Sequence, residues 1–181
     1  MGWTYLGILT LAALIACCCG IKKYVWFLSI GYGFAVAAGG IATLIMYLIN
    51  PSATPLWIML VECVLFVCYG ARLSGFLLVR ELKSITFRKT DVAKDTLNKN
   101  SEKKMPIFVL FTIWVSVAIL YTAQVSPMLF RYTNASVDAI VPVIGFAVSV
   151  FGLVLESIAD NQKSAQKKER PDMVATKGLY K

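Results

Sequence analysis

Histidine is absent from the chain, and no cysteines stand in a Cys-x-x-Cys spacing. Cys17, Cys18 and Cys19 are consecutive, so on a helix they point in three directions and cannot converge on one metal. Cys63 and Cys68 fall within a later apolar run, where cysteine behaves as a small apolar residue. These absences exclude the usual zinc sites. Charge is scarce as well: 15% of the 181 residues are Asp, Glu, Lys or Arg. An average soluble domain has about a quarter. With 58% of residues hydrophobic and a mean hydropathy of +0.70, the composition describes an integral membrane protein.

Five apolar segments carry that hydropathy, at about 3–20, 24–49, 55–79, 106–126 and 137–158. Each approaches or exceeds the ~20 residues that cross ~30 Å of hydrocarbon as a helix. The expected fold is therefore all-α, a single polytopic bundle over 1–181. Pro51, Pro55 and the Ser126-Pro127 pair read as breakers, because proline lacks a donor and disfavours helix in the residue before it.

The cations orient the bundle. Lys22 and Lys23, eight Lys/Arg from Arg80 to Lys104 and six from Lys163 to Lys181 make sixteen of the eighteen. Five alternating spans put all sixteen on one face, which the positive-inside rule makes cytoplasmic. The N-terminus is then outside, and the loop 80–105 and tail 161–181 are cytoplasmic. Arg131 falls on the opposite side and Arg72 inside a span. The net charge of +8 is thus a topology signal, and no soluble basic face with interleaved aromatics supports nucleic-acid binding. The membrane is the bacterial inner membrane or, in a eukaryotic host, the endoplasmic reticulum.

Several short motifs fail their context. The first run lacks a basic n-region and is long for a signal peptide, so "LIAC" at 14–17 reads as helix and not as a lipoprotein cleavage box. "GYGFAVAAGG" at 31–40 follows no strand and opens no βαβ unit. Its small residues are expected to let membrane helices approach closely. Asn134-Ala135-Ser136 fits a glycosylation acceptor.

The informative residues are charges inside the spans: Glu62, Arg72, Glu156 and Asp160. A charge at the bilayer centre costs about 2.5–3.5 kcal/mol on insertion scales, so such groups face protein or a wet cavity. Glu62 and Tyr69, seven apart, nearly eclipse on a helix, and Arg72 lies in the same sector. Arg80 follows eight residues later. Glu156, Asp160, Lys163 and Lys167 are spaced 4, 3 and 4, so they share one face. Carboxylates there can accept from ribose hydroxyls or a carboxamide, and the two lysines can meet phosphate oxygens.

"YGARLSGFLLVR" (69–80), "GLVLESIADNQK" (152–163) and "KGLYK" (177–181) together resemble the steroid 5-alpha-reductase family, in particular its bacterial-type members. The resemblance covers about 60–181. It implies a bundle of seven membrane helices that binds NADPH on the cytoplasmic side and reduces the conjugated C=C of a steroid-like or other lipid enone drawn from the bilayer. Arg72, Arg80, Glu156, Asp160, Lys163 and Lys167 would hold the cofactor. Tyr69 would hydrogen-bond the substrate carbonyl, with Glu62 replacing the Gln-Glu pair that assists the tyrosine in eukaryotic members. The chain stops where relatives continue into an Arg-His-Pro-Asn-Tyr-like segment and two further helices, so a fragment of a longer reading frame is expected. Two other readings stand beside this one. The first is a membrane methyltransferase of the isoprenylcysteine or phospholipid type, using S-adenosylmethionine, against which Lys163 and Lys167 argue. The second is a non-enzymatic membrane protein whose charge stripes only pack helices.

Overall fold

The structure is a computed structural model that describes residues 2–21, 25–83, 106–169, 174, 176 and 178–180. The side chains of Val25, residues 80–83, Lys168 and Glu169 are outside that description. Lys22, Lys23 and the basic segment 84–104 lie outside the described residues. All regular structure among the described residues is helical. Helix α1 (Gly2–Ala16) tightens into a 3₁₀ turn at Cys17–Ile21. There follow the short α2 (Val25–Leu28), then α3 (Ile30–Ile49), α4 (Leu56–Lys83), α5 (Ile107–Thr133) and α6 (Ile140–Glu169), and a final 3₁₀ turn at Gly178–Tyr180. Among the described residues, five stretches are long and apolar enough to cross a membrane: Gly2–Ile21, Trp26–Ile49, Leu56–Val79, Ile107–Thr133 and Ile140–Lys167.

The chain divides into two compact units, Met1–Val137 and Asp138–Lys181. In the first, α3 packs against α1, α4 and α5. One core cluster gathers Leu9, Val36, Met46, Met59, Val125 and Tyr132, and a second gathers Ala13, Cys17, Phe27, Ala35, Val117 and Tyr121. Tyr32 packs on both. Hydroxyl groups tie the helices where apolar contact alone gives no direction. Tyr121 donates to the Phe27 carbonyl at 2.9 Å, Tyr47 to Thr54 at 2.8 Å, and Thr54 to the Arg131 carbonyl at 3.1 Å. In the 3₁₀ turn the cysteines diverge: Cys17 is buried, facing the Gly31 carbonyl, and Cys18 is exposed.

One boundary differs from the sequence reading. Pro127 does not end its helix; α5 continues to Thr133. Proline leaves the Ala123 carbonyl without its i+4 amide partner, and the Ser126 hydroxyl donates to that carbonyl at 2.8 Å. Met128, Leu129 and Tyr132, which follow, are buried, so packing holds the extension. Past the apolar span that ends near 158, α6 continues to Glu169, as the helical spacing of Glu156, Asp160, Lys163 and Lys167 requires. Its polar continuation has no Gly or Pro, and Glu156 and Asp160 precede Lys163 and Lys167 at helical spacing.

The second unit is α6 and the tail on it. Asp138 caps the helix, accepting from the Ile140 and Val141 amides at 3.3 Å each, where a negative charge also opposes the helix dipole. At the other end Gln166 accepts from the Thr176 amide and Gln162 from the Leu179 amide, both at 2.9 Å. Gly178 sits between them at φ +72. A Cβ there would collide with the Gln162 amide, so glycine is required twice over.

Candidate functional site

The site begins with a helix crossing. A Cβ on Gly33 of α3 would stand 2.6 Å from the Gly70 carbonyl oxygen of α4, and one on Gly70 would overlap the Gly33 carbonyl. Four residues on, Ser74 donates to the Ile30 carbonyl at 2.7 Å. Small residues at Gly70 and Ser74 let the two backbones touch, which is how membrane helices associate without a hydrophobic driving force.

That contact places the tyrosines preceding each glycine against one another. The Tyr69 hydroxyl donates to the Tyr32 hydroxyl at 3.2 Å, and Gln124 Nε2 of α5 donates to the same oxygen at 2.8 Å. The Tyr32 ring is held on two sides. It meets Tyr69 edge-on at 5.8 Å and Tyr121 at 4.9 Å, tilted by 30°. Tyr32 and Tyr69 are half-buried, and Gln124 is exposed. A polar chain drawn from three spans therefore reaches the surface of the first unit.

Glu62 lies earlier on α4, about 10 Å from Tyr69 along the axis. The Arg131 charge at the end of α5 acts on it. Yet Glu62 Oε2 and Arg131 Nε and Nη2 are buried without hydrogen-bond partners. Arg72, one turn beyond Tyr69, is half-buried and engaged by its surroundings. Of Arg80 only the backbone within α4 is described.

The remaining candidates belong to the second unit. Glu156, Asp160, Lys163 and Lys167 all lie within α6, at the spacing that lines them along one face. Both acids are half-buried and both lysines exposed. Glu156, Asp160 and Lys167 each have interactions.

The structure thus joins Tyr69 to two residues the sequence reading passed over, Tyr32 and Gln124. It also places Arg131, which that reading left in a loop, in the last turn of α5. A signal for the first pair was present: Tyr-Gly occurs at 32–33 and again at 69–70, and Gln124 is a lone amide in an apolar run. Among the described residues no group of three or more His, Cys, Asp or Glu side chains could hold a metal ion.

Residues 20–181 match the model of a family described as "Protein of unknown function (DUF1295)". The chain belongs to the DUF1295 family. DUF1295 is associated with steroid 5-alpha-reductase-like membrane proteins. Neither the curated proteins nor the solved structures contain a match to this DUF1295 chain. The matched region includes the Gly33–Gly70 crossing, the Tyr69–Tyr32–Gln124 chain and the whole α6 row.

Proposed function

We propose that this DUF1295 protein is a membrane-embedded reductase that uses NADPH to saturate the conjugated C=C of an enone in a steroid-like or other lipid substrate. The observation that carries the reading is the Tyr69–Tyr32–Gln124 chain, a phenolic donor assembled from three spans. The DUF1295 match covers every residue of that chain. In this reading the N-terminus is outside and the C-terminus cytoplasmic.

Reduction of an enone moves negative charge onto its carbonyl oxygen. NADPH, when bound, supplies the hydride and its two electrons to the β-carbon. The C=C electron pair shifts toward the oxygen, and a proton from water at the α-carbon completes the saturated ketone. The protein's part is to hold a donor where that charge grows. Removing such a donor typically costs about 10²–10³ in kcat. The half-buried phenols suit that role, because a carbonyl approaching them loses water and meets a hydroxyl already fixed by neighbouring rings.

The α6 row suits a phosphorylated dinucleotide. Glu156 and Asp160 offer acceptors to ribose hydroxyls or a carboxamide, and the exposed ammonium groups of Lys163 and Lys167 offer charge to phosphates. Arg72 and Arg80 supply further donors. Glu62, under the influence of Arg131, contributes to the electrostatics of the α4 face.

The test is a thermal-shift titration of the detergent-solubilised chain with NADPH and with S-adenosylmethionine. Stabilisation by NADPH that is lost in K163A/K167A supports the reading. Preferential stabilisation by the methyl donor, or an NADPH effect indifferent to both lysines, contradicts it.

A further inference from the structure

We infer that Glu62 and Arg131 hold a water molecule where α4 begins and α5 ends, bound by Arg131 Nε and Nη2 and by Glu62 Oε2. The site is separate from the Tyr69–Tyr32–Gln124 chain and does not rest on the reductase reading.

Two helix ends define the place. α4 starts at Leu56 and α5 finishes at Thr133. The Thr54 hydroxyl donates to the Arg131 carbonyl at 3.1 Å, so the Arg131 backbone stands level with the entry to α4. Glu62 lies about 9 Å further along the axis of α4. The long Arg131 side chain covers such a distance, and its charge acts on Glu62. Met59 and Cys63 flank Glu62 in sequence, Leu129 and Tyr132 flank Arg131, and all four are buried in one apolar cluster. The two charged groups therefore share an apolar surround.

Valence identifies the guest. Both residues are half-buried, but Glu62 Oε2 and Arg131 Nε and Nη2 are buried and have no hydrogen-bond partner. Nearly all buried polar atoms are paired, and a charged group left bare costs more than a neutral one. A guanidinium only donates, whereas a carboxylate accepts. The bare atoms are thus two donors on one guanidinium and one acceptor. A water molecule accepts two hydrogen bonds and has hydrogens to donate, and buried waters typically make about three bonds to groups the protein leaves unsatisfied. An anion would suit the guanidinium but oppose the Glu62 carboxylate. A metal cation would suit Glu62 but oppose Arg131, and no metal-binding group exists among the described residues. A small neutral guest that both accepts and donates serves the two residues together. It joins α4 to α5 through hydrogen bonds at a place where packing is otherwise apolar.

The experiment is a crystal structure of the full chain grown from a lipidic phase, at a resolution that shows ordered water, with thermal melts of three variants. One water is expected within hydrogen-bond distance of Arg131 Nε and Nη2 and of Glu62 Oε2. Glu62→Gln keeps an acceptor oxygen and the shape of the side chain, so E62Q should retain the water and melt near the unmodified protein. E62L removes the acceptor and should melt clearly lower. E62L/R131L removes both charges and should recover most of that loss. Direct contact of the guanidinium with Glu62, with no water between them, overturns the inference. An ion or a lipid headgroup in the water's place overturns it equally, as does an E62Q variant that melts as low as E62L. None of these outcomes alters the reductase reading.

Discussion

Gly33 and Gly70 meet backbone to backbone, and their contact brings Tyr32 and Tyr69 within hydrogen-bond distance of each other. A methyl group at either glycine must part the helices. Gly70→Ala is expected to cost ~1–3 kcal/mol, the usual range for overpacking, and to lower the melting temperature in detergent. Gly75, where a Cβ would meet nothing within 4 Å, is the control. Gly75→Ala should be neutral or slightly stabilising through helix propensity.

Glu62 and Arg131 should be energetically coupled. Arg131→Met removes the opposite charge that acts on Glu62 and is expected to destabilise the protein by ~1–3 kcal/mol, because the carboxylate then loses its compensation. In an E62Q background the same change should cost less. A double-mutant cycle read by chemical denaturation checks this, with a coupling of ~0.5–3 kcal/mol expected. Equal costs in the two backgrounds would mean that the two charges do not communicate.

Ser126 takes over the bond that Pro127 cannot make. Ser126→Ala should cost about 1 kcal/mol by orphaning the Ala123 carbonyl. S126A/P127A should recover much of the loss, since residue 127 regains an amide proton. Thermal melts of the three variants distinguish this from a simple packing defect, in which the double variant would be the worst.

Ala135 adopts φ 52 just after α5, and the Ser136 amide closes the turn onto the Arg131 carbonyl at 3.2 Å. A left-handed alanine is strained by about 1–2 kcal/mol, so Ala135→Gly should stabilise the protein by roughly 1 kcal/mol, less the added flexibility of the unfolded glycine. A fall in melting temperature would refute the strain.

The five apolar stretches were legible because length and hydropathy alone decide them, and the small residues of 31–40 did serve close packing at Gly33. Convergence was not legible. Tyr32, Tyr69 and Gln124 are separated by 37 and 92 residues, and only the crossing of α3 on α4, with α5 alongside, brings them together. Pro127 misled for a local reason: the rule that proline ends a helix assumes an unsatisfied carbonyl, and here a serine hydroxyl satisfies it. The α6 row was legible as a shared face, because a helix repeats every 3.6 residues.

The most direct measurement is the fate of the transferred hydrogen. The full chain in lipid is incubated with NADPH deuterated at the transferable position of the nicotinamide and with a 4-ene-3-oxo steroid, and the product is analysed by mass spectrometry and NMR. The account predicts a saturated ketone with one deuterium at the β-carbon, formed far more slowly by Y69F and by K163A/K167A. Recovery of the enone unchanged, or a product without deuterium at that carbon, would contradict it.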